Sequence, residues 1–310
     1  MRFPANAVTF VFNGEAREDI PIDVTHVIMH ESITVIPAES FQMHPNIVEV
    51  YCHTGVKRIE REAFGFCFSL RRIVMPGVEV VERYAFMDCA KLRCVECNKL
   101  ERVGQFAFLC CKKLTSIDLP SAKIIEQRVF LRCKRLRVAT FGDELESFGT
   151  GVFVECFSLE RIAIPLKHGL IDANDIFQEC RNLSNVDIVK RDEFDNIIDA
   201  LNLEEWKNDM NRAICSLNPS LRDAWAGEID DDDDGEKAII IREWITTVRR
   251  KFFQYKALHR SFLDEVASTL KILCMLPNDI VMNSVLPFLE LPLHTFPQEE
   301  GGGEEDDSDE

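Results

Sequence analysis

Phenylalanine recurs along this chain at nearly constant intervals of 23, 22, 22, 22, 23 and 24 residues. The residues that mark the period, called the anchors below, are Phe41, Phe64, Phe86, Phe108, Phe130, Phe153 and Phe177. A fixed period of this size indicates stacked structural repeats, because one such repeat is too small to bury its apolar face alone. This periodicity constrains the fold more than any other feature of the sequence.

Three further columns of residues keep register with the anchors. The cysteine column lies three residues after each anchor and consists of His44, Cys67, Cys89, Cys111, Cys133, Cys156 and Cys180. Three residues later come Ile47, Leu70, Leu92, Leu114, Leu136, Leu159 and Leu183, and three after those Val50, Ile73, Val95, Ile117, Ala139, Ile162 and Val186. The sequence therefore predicts a repeat solenoid of the α/β class, with mostly short parallel strands joined by turns or short helices.

A short strand is expected at the last of these columns, because side chains alternate between the two sides of a strand. In the second repeat, Ile73 and Met75 are predicted to point into the core. Arg72 and Val74 are predicted to point outward, and Pro76 is expected to end the strand because it lacks an N–H group. The stretch Ala-Phe-x-x-Cys is expected to form a tight turn or a single helical turn on the opposite side.

The pattern Ala-Phe-x-x-Cys-x-x-Leu-x-x-Ile-x-x-Pro resembles the BspA-like leucine-rich repeats over residues 24–190. That family forms curved solenoids in surface proteins of bacteria and parasitic protists, and occurs in large protein sets of some algae. The resemblance implies a recognition scaffold without chemistry of its own. It does not imply a partner, since partners vary within the family.

The sequence patterns divide the chain into six segments. In order, they are a cap strand or hairpin (1–23), a solenoid of about seven to eight repeats (24–190), a helical cap (191–228), an acidic linker (229–235), a long helix plus a short helix (236–292) and a disordered acidic tail (293–310). The chain thus predicts a solenoid followed by an α-helical C-terminal region.

Charge and cysteine content indicate the kind of partner and the compartment. The net charge of −17 disfavours binding to nucleic acid or to an anionic membrane. Residues 24–190 contain 22 Lys or Arg and 21 Asp or Glu, whereas residues 191–310 contain 12 Lys or Arg and 28 Asp or Glu. The excess negative charge therefore lies in the C-terminal third. Twelve cysteines and no secretory signal at the N-terminus predict a reducing compartment, the cytoplasm or, alternatively, the nucleus.

Catalytic and metal-binding chemistry is not indicated by the residue patterns. A cysteine in every repeat behind a phenylalanine is typical of a packing position, although a redox or metal ladder is the alternative reading. Cys94 and Cys97 form a C-x-x-C pair, but residues three apart on a strand face opposite sides, so Cys94 is expected outside and Cys97 in the core. We predict a non-enzymatic protein with no catalytic residues, no cofactor and no metal.

The outward side chains of the strands are the predicted partner-binding surface, because a solenoid usually binds through its concave strand face. The two columns contain the predicted site residues His26, Glu49, Arg72, Ser116, Arg161 and Asn185 in one, and Ile28, Tyr51, Val74, Glu96, Asp118, Thr140 and Asp187 in the other. Cys94 and Val138 complete the first column and Ala163 the second. Their mixed character favours an unidentified protein as the partner.

A basic ridge flanks the cysteine column in this otherwise acidic chain. It consists of Arg71, Lys91, Arg93, Lys112, Lys113, Arg132, Lys134, Arg135 and Arg137. Such a ridge suits an acidic partner or the acidic segments of the same chain. The alternative is a set of solvated side chains without a binding role.

The C-terminal third supplies the remaining hypotheses. Residues 236–275 carry apolar side chains at a spacing near 3.5 residues, which predicts one long helix that packs within the protein or pairs with a second copy. A helix on a membrane surface is the alternative. The segment Leu276–Leu289 resembles the opening of an F-box, which implies an alternative function as a ubiquitin-ligase adaptor, although the later apolar helices of an F-box do not follow.

Overall fold

The computed structural model describes residues 7–189, 203–223 and 236–274, with residues 196, 198, 199 and 201 between them. The acidic linker, the F-box-like segment Leu276–Leu289 and the acidic tail lie outside the described residues. The chain divides into two compact units, one of Met1–Lys190 with Arg212–Arg249 and the other of Arg191–Asn211 with Arg250–Glu310. The first unit contains a parallel-strand solenoid of about seven turns.

Nine strands form one side of the solenoid, which we call the long-strand face. They are β1 (Thr9–Phe12), β2 (His26–Met29), β4 (Glu49–Tyr51), β6 (Arg72–Val74), β8 (Cys94–Glu96), β10 (Ser116–Leu119), β12 (Val138–Phe141), β14 (Arg161–Ile164) and β15 (Asn185–Ile188). Neighbouring strands within each of its two sheets pair in parallel, as predicted. Ile73 and Met75 are buried, whereas Arg72 and Val74 are partly exposed, so the predicted alternation is confirmed.

Six turns contain a second strand, which was not predicted, and these strands form the second side of the solenoid. These strands are β3 (Val35–Ile36), β5 (Arg58–Ile59), β7 (Val80–Val81), β9 (Arg102–Val103), β11 (Ile124–Ile125) and β13 (Ser147–Phe148). They form one six-stranded parallel sheet, the short-strand face. The second residue of every strand is buried and the first faces outward, so two residues per turn suffice to close the core on this side.

The Ala-Phe-x-x-Cys stretch forms a turn on the third side. Two residues before and two residues after Phe108, the backbone is left-handed, with φ of 58° at Phe106 and 60° at Cys110. Left-handed residues other than glycine cost about 1–2 kcal/mol each. Hydrogen bonds to the next turn offset this cost, since the N–H of Phe108 donates to Val129 at 3.0 Å and that of Cys110 donates to Leu131 at 2.9 Å.

The anchor phenylalanines form the centre of the core. All seven anchors are essentially inaccessible to solvent, and the rings of anchors in successive turns stack with centroids 5.0 to 5.6 Å apart. Interplanar angles of 1–13° give a nearly parallel stack. Burial of each ring stabilises the fold by about 1.5–3 kcal/mol, so this column is the main apolar axis of the solenoid.

Strand β1 covers the N-terminal end of the solenoid. It pairs in parallel with β2, which is the arrangement of a strand cap rather than an antiparallel hairpin. Phe12 is buried, and its ring lies 4.8 Å from that of Phe41 at 58°, closing the phenylalanine stack with a tilted ring. Gly14 has φ of 95° and allows the chain to turn directly after the strand.

Helices follow the last turn within the first unit. The α-helices whose bounds the structure describes are α1 (Glu204–Cys215), α2 (Leu217–Asp223) and α3 (Glu236–Cys274), and α3 confirms the predicted long helix. Asn218 of α2 accepts a hydrogen bond from the backbone N–H of Val186 at 2.9 Å. Among the described helices, none has an apolar stretch sufficient to span a bilayer.

Three basic side chains of α3 donate to backbone carbonyls of the final turns. Lys237 donates to Cys180 at 2.6 Å and to Arg181 at 3.1 Å. Arg242 donates to the carbonyls of Ile171 and Asp172 and to the side chain of Asn174, and Arg249 donates to the carbonyl of Leu166 at 3.0 Å. The last turn has no following turn to supply donors, so these cations satisfy carbonyl oxygens that would otherwise lack partners.

The second unit contains the beginning of α1 and the later part of α3. Asp209 accepts hydrogen bonds from Lys251 at 2.5 Å and from the hydroxyl of Tyr255 at 2.6 Å. The Tyr255 ring also stacks on Trp206, with centroids 5.5 Å apart. These contacts join the two helical segments within this unit.

Candidate functional site

The cysteine column is a ladder of hydrogen bonds between turns. Each thiol lies against the carbonyl oxygen of the anchor phenylalanine in the preceding turn, at 3.0 to 3.3 Å. The pairs are Cys67 with Phe41, Cys89 with Phe64, Cys111 with Phe86, Cys133 with Phe108, Cys156 with Phe130 and Cys180 with Phe153. A cysteine here is therefore small enough to pack and still able to donate, although a thiol is a weak donor.

Burial keeps these thiols protonated. It raises the pKa of Cys67 to about 12, and it places the pKa of Cys89, Cys111 and Cys156 well above the ordinary value of a thiol. Since the thiolate is the reactive form, the column has the character of core rather than of a nucleophilic or redox site. The arrangement supports the packing interpretation of the cysteine column.

The C-x-x-C pair is split as predicted. Cys94 is partly exposed on the long-strand face, whereas Cys97 is only 4% exposed and its thiol lies 3.8 Å from the carbonyl oxygen of Asp118. Burial raises the pKa of Cys97 to about 12. In the part of the chain that the structure describes, no three His, Cys, Asp or Glu side chains are grouped so that they would hold a metal ion.

His44 replaces cysteine in the first turn and lies in the core rather than in solvent. Its Nε2 atom is 3.1 Å from the carbonyl oxygen of Pro21, and its buried Nδ1 atom has no hydrogen-bond partner. The hydrogen bond to Pro21 therefore assigns the proton to Nε2. Burial lowers the pKa of His44, and the nearby charge of Arg17 acts in the same direction.

The predicted outward columns coincide with the strand register. His26, Glu49, Arg72 and Cys94 are paired in succession across β2, β4, β6 and β8, and Ile28, Tyr51, Val74 and Glu96 form the neighbouring column. Across β10, β12, β14 and β15, the first column continues as Ser116, Val138, Arg161 and Asn185, and the second as Asp118, Thr140, Ala163 and Asp187. The register predicted from the sequence is therefore confirmed.

His26 is the one predicted site residue that the structure buries, at 4% exposure. Its Nδ1 atom lies 2.8 Å from the hydroxyl oxygen of Thr25, and β1 pairs alongside it through Thr9. The added N-terminal strand thus covers this end of the column. Among the other predicted residues, Glu96, Ser116, Asp118 and Arg161 are exposed and the remaining ones are partly exposed.

Polar side chains of the five-stranded sheet, which consists of β1, β2, β4, β6 and β8, form a connected group on the long-strand face. Arg72 contacts Glu96 in the next turn through Nε at 2.8 Å and through a terminal nitrogen at 2.7 Å. Its guanidinium also lies 6.0 Å from the ring of Tyr51, whose hydroxyl donates to Glu49. Burial and the hydrogen bond to Glu49 raise the pKa of Tyr51, and the hydrogen bond to Glu96 raises that of Arg72.

Ion pairs and hydrogen bonds also connect side chains of the four-stranded sheet of the long-strand face, which consists of β10, β12, β14 and β15. Thr140 donates to Asp118, and Arg161 pairs with Asp187. Each contact joins side chains on strands that are adjacent in the sheet, so the surface presents fixed pairs rather than independent charges. The apolar members Val138 and Ala163 lie between them.

A seam divides the long-strand face between β8 and β10. The five-stranded sheet ends at β8 and the four-stranded sheet begins at β10, so no strand pairing joins these two in the described structure. Glu96 and Asp118 hold equivalent positions on either side, and opposed like charges destabilise adjacent strands. Glu96 contacts Arg72 and Asp118 accepts from Thr140, each on the side away from the seam.

The basic ridge differs from the rest of the solenoid because most of its charges are not neutralised. Arg132 pairs with Glu155, Arg137 pairs with Glu160, and Lys134 lies 5.4 Å from the ring of Phe157. Within the described residues, ion-pair or hydrogen-bond partners are absent for the side chains of Arg71, Lys91, Arg93, Lys112, Lys113 and Arg135. All six are exposed except Lys113, which is half-buried.

Two of the solved structures to which this chain is similar are described as leucine-rich repeat proteins. One, from Bacteroides ovatus, has 20% identity and a TM-score of 0.46, with 61% of this chain and 53% of that chain covered. Another, from T. pallidum, has 24% identity and a TM-score of 0.33, with 51% of this chain and 80% of that chain covered. The chain thus spans about half the length of the Bacteroides ovatus protein. No curated protein matches the chain.

The repeat sequence also matches a family directly. The family described as BspA type leucine rich repeat region matches in six copies, over residues 21–93 and 57–184. Together the two ranges cover more than half of the 310 residues. With the phenylalanine stack, the cysteine ladder and the parallel strands in register, the match shows that this chain belongs to the BspA-type leucine-rich repeat family.

Proposed function

We propose that this chain is a non-enzymatic scaffold that binds a partner protein through the long-strand face. The observation that carries the proposal is the pair of outward columns, which extends over both sheets of this face. Solenoids commonly bind through such a surface, and we expect this one to be the concave side. The family membership supports an interaction role in general and leaves the partner open.

The composition of the columns suits a protein surface. Tyr51 and Val74 supply apolar contact area, while Arg72, Glu96 and Asp118 supply charges of both signs. A polyanion would find no continuous positive surface here, because the cations alternate with carboxylates. Contacts such as Arg72–Glu96 hold the side chains before binding, which reduces the conformational entropy lost on association.

Charge exchange at one ion pair tests this proposal while it preserves the internal contact. The double variant Arg72→Glu/Glu96→Arg keeps an ion pair at this position and inverts the order of charges that a partner meets. We expect weaker capture of the partner in quantitative affinity purification, with an unchanged thermal unfolding midpoint. The exchange Arg102→Glu/Glu126→Arg on the short-strand face, where the same kind of pair occurs at 2.5 Å, is the matched control.

The reversal Asp118→Lys adds an independent position on the other side of the seam. If the Arg72/Glu96 exchange and Asp118→Lys both leave capture unchanged, or if the control exchange weakens it equally, the long-strand face is not the binding surface.

The same proposal includes a location in the cytoplasm or nucleus and the pairing of two copies of the chain through α3. They depend on the cysteine content and on the helical periodicity of residues 236–275.

A further inference from the structure

We propose that the basic ridge is a second binding surface, and that it takes an acidic amphipathic helix from a partner protein. This site lies on the turn side of the solenoid and does not depend on the long-strand face. The six basic side chains of the ridge that have no partner among the described residues are called the ridge cations below: Arg71, Lys91, Arg93, Lys112, Lys113 and Arg135.

The first argument is the concentration of unneutralised charge. Elsewhere in the solenoid, six of the described basic side chains pair with a carboxylate one turn away, among them those of Lys57–Glu79, Arg102–Glu126 and Lys123–Glu101. The ridge cations would form the same kind of ion pair if the equivalent positions in the adjacent turns were carboxylates. These positions are cations instead, so neighbouring side chains repel each other, and binding of an external anion relieves the repulsion.

The carboxylates near the ridge do not neutralise it. Asp88 and Glu155 each lie two residues after an anchor phenylalanine, and Glu155 is already paired with Arg132. Glu160 is paired with Arg137. Two of these three carboxylates are therefore already paired, which leaves Asp88 against six ridge cations.

The second argument is spacing. Lys91, Lys113 and Arg135 occupy the same position in three successive turns, five residues after each anchor. Phenylalanine centroids in these turns are 5.2 and 5.6 Å apart, which sets the step from one cation to the next along the solenoid. An α-helix rises about 5.4 Å per turn, so a helix along the solenoid axis places one carboxylate per turn opposite one cation per turn.

The third argument is an apolar position at one end of the ridge. Phe68 is 49% exposed, and its ring lies 6.0 Å from that of Phe66. It holds the same repeat position as Lys112 and Lys134, two and three turns further along. A partner helix with carboxylates along one face and an apolar residue beside them would contact both the cations and this aromatic pair.

An acidic helix also fits the overall charge better than nucleic acid does. The chain carries a net charge of −17, so a ligand with a high charge density along its whole length is repelled by the rest of the protein. A helix with carboxylates on one face only presents its charge to the ridge and its remaining surface to solvent.

The test uses the full chain and a fluorescent helical peptide of about 14–16 residues, with Glu once per turn on one face and Leu beside it. Fluorescence polarisation at low ionic strength measures binding, and we expect affinity to fall as salt is added. A peptide of the same composition, with the Glu residues distributed around the helix, tests the spacing. A single-stranded oligonucleotide tests the other class of polyanion.

Two double charge reversals test the location. Lys91→Glu/Arg135→Glu removes two ridge cations, whereas Lys99→Glu/Lys167→Glu makes the same change of net charge at solenoid cations that lie outside the ridge and form no ion pair within the described structure. We expect the ridge variant to lose about tenfold in affinity and the control variant to bind as the parent does. Unfolding midpoints of both variants show that the fold is retained.

The proposal is overturned if the one-faced peptide does not bind, if both reversals weaken it equally, if the redistributed peptide binds equally well, or if the oligonucleotide binds more tightly than the peptide.

Discussion

The thiol of Cys111 lies 3.3 Å from the carbonyl oxygen of Phe86 in the preceding turn. The backbone N–H of Cys111 also donates within its own turn, to Phe108 at 3.1 Å. One residue thus fixes the shape of its own turn and ties that turn to its neighbour. The same pair of contacts recurs along the column, which explains why cysteine, rather than alanine or valine, follows the phenylalanine anchors.

Thiol reactivity should separate the cysteine column from the exposed cysteine. In the native protein we expect Cys215, which is exposed, to react rapidly with iodoacetamide. Cys67 and Cys133 should react only on unfolding, because burial raises their pKa and excludes the reagent. Peptide mapping by mass spectrometry measures the rate at each position. Equal rates at Cys67 and Cys215 would contradict the buried ladder.

Loss of a single ladder thiol should destabilise the solenoid. Cys111→Ala removes a buried sulfur and its hydrogen bond to Phe86, and we expect the free energy of unfolding to fall by about 1–3 kcal/mol. The control Cys215→Ala, at an exposed helix position, should change it by less than about 0.5 kcal/mol. Urea unfolding followed by circular dichroism measures both. A Cys111 variant as stable as the control would remove the thiol's structural role.

Adjacent arginines on α3 should differ in their effect on stability. Arg249→Met leaves the carbonyl oxygen of Leu166 without this donor, and such a loss costs about 1–3 kcal/mol. Arg250→Met, at the exposed neighbouring position, should cost less than about 0.5 kcal/mol. The comparison is made by thermal or urea unfolding of the full chain. If the two variants were equally stable, the helix would not cap the last turns through Arg249.

His44 should make stability depend on pH. Its pKa is lowered in the folded protein by burial and by Arg17, while Asp23 and the hydrogen bond to Pro21 act in the opposite direction. In the unfolded chain the imidazole has a pKa of about 6.5. At pH values between the folded and the unfolded pKa of His44, the unfolded chain binds more protons than the folded protein. The free energy of unfolding is therefore highest above about pH 7 and falls as the pH decreases through this range.

The variant His44→Gln should flatten this part of the stability profile. His168→Gln, at an exposed position, serves as the control and should follow the parent protein. Urea unfolding at several values between about pH 5 and 8 covers the window. A parent and His44→Gln variant with parallel profiles would show that His44 does not contribute.

The repeat could be predicted because stacking forces the same residue type to return to the same place in each turn. The anchors, the cysteine column and the outward columns follow directly from that rule, and the strand register confirms them. The short-strand face was missed although Ile59, Val81 and Val103 keep register as well. Two-residue strands leave too short a pattern to be recognised by alternation.

Other features depend on contacts between distant parts of the chain. Lys237 and Arg249 read as ordinary surface cations of a helix, yet they donate to carbonyls of Cys180 and Leu166, which lie far away in the sequence. The register predicts that His26 faces outward, but the N-terminal strand covers it. Whether the ridge cations have partners in the described part of the chain likewise depends on three-dimensional neighbours that the repeat pattern does not contain.

Site-specific photo-crosslinking tests the central claim most directly. A photoreactive phenylalanine analogue placed at Thr140, on the long-strand face, is compared with the same analogue at Ile124, an exposed position on the short-strand face. We predict that the captured partner protein is crosslinked from position 140 and not from position 124, and that the Arg72→Glu/Glu96→Arg exchange reduces the yield. A partner crosslinked from position 124 alone would contradict binding through the long-strand face.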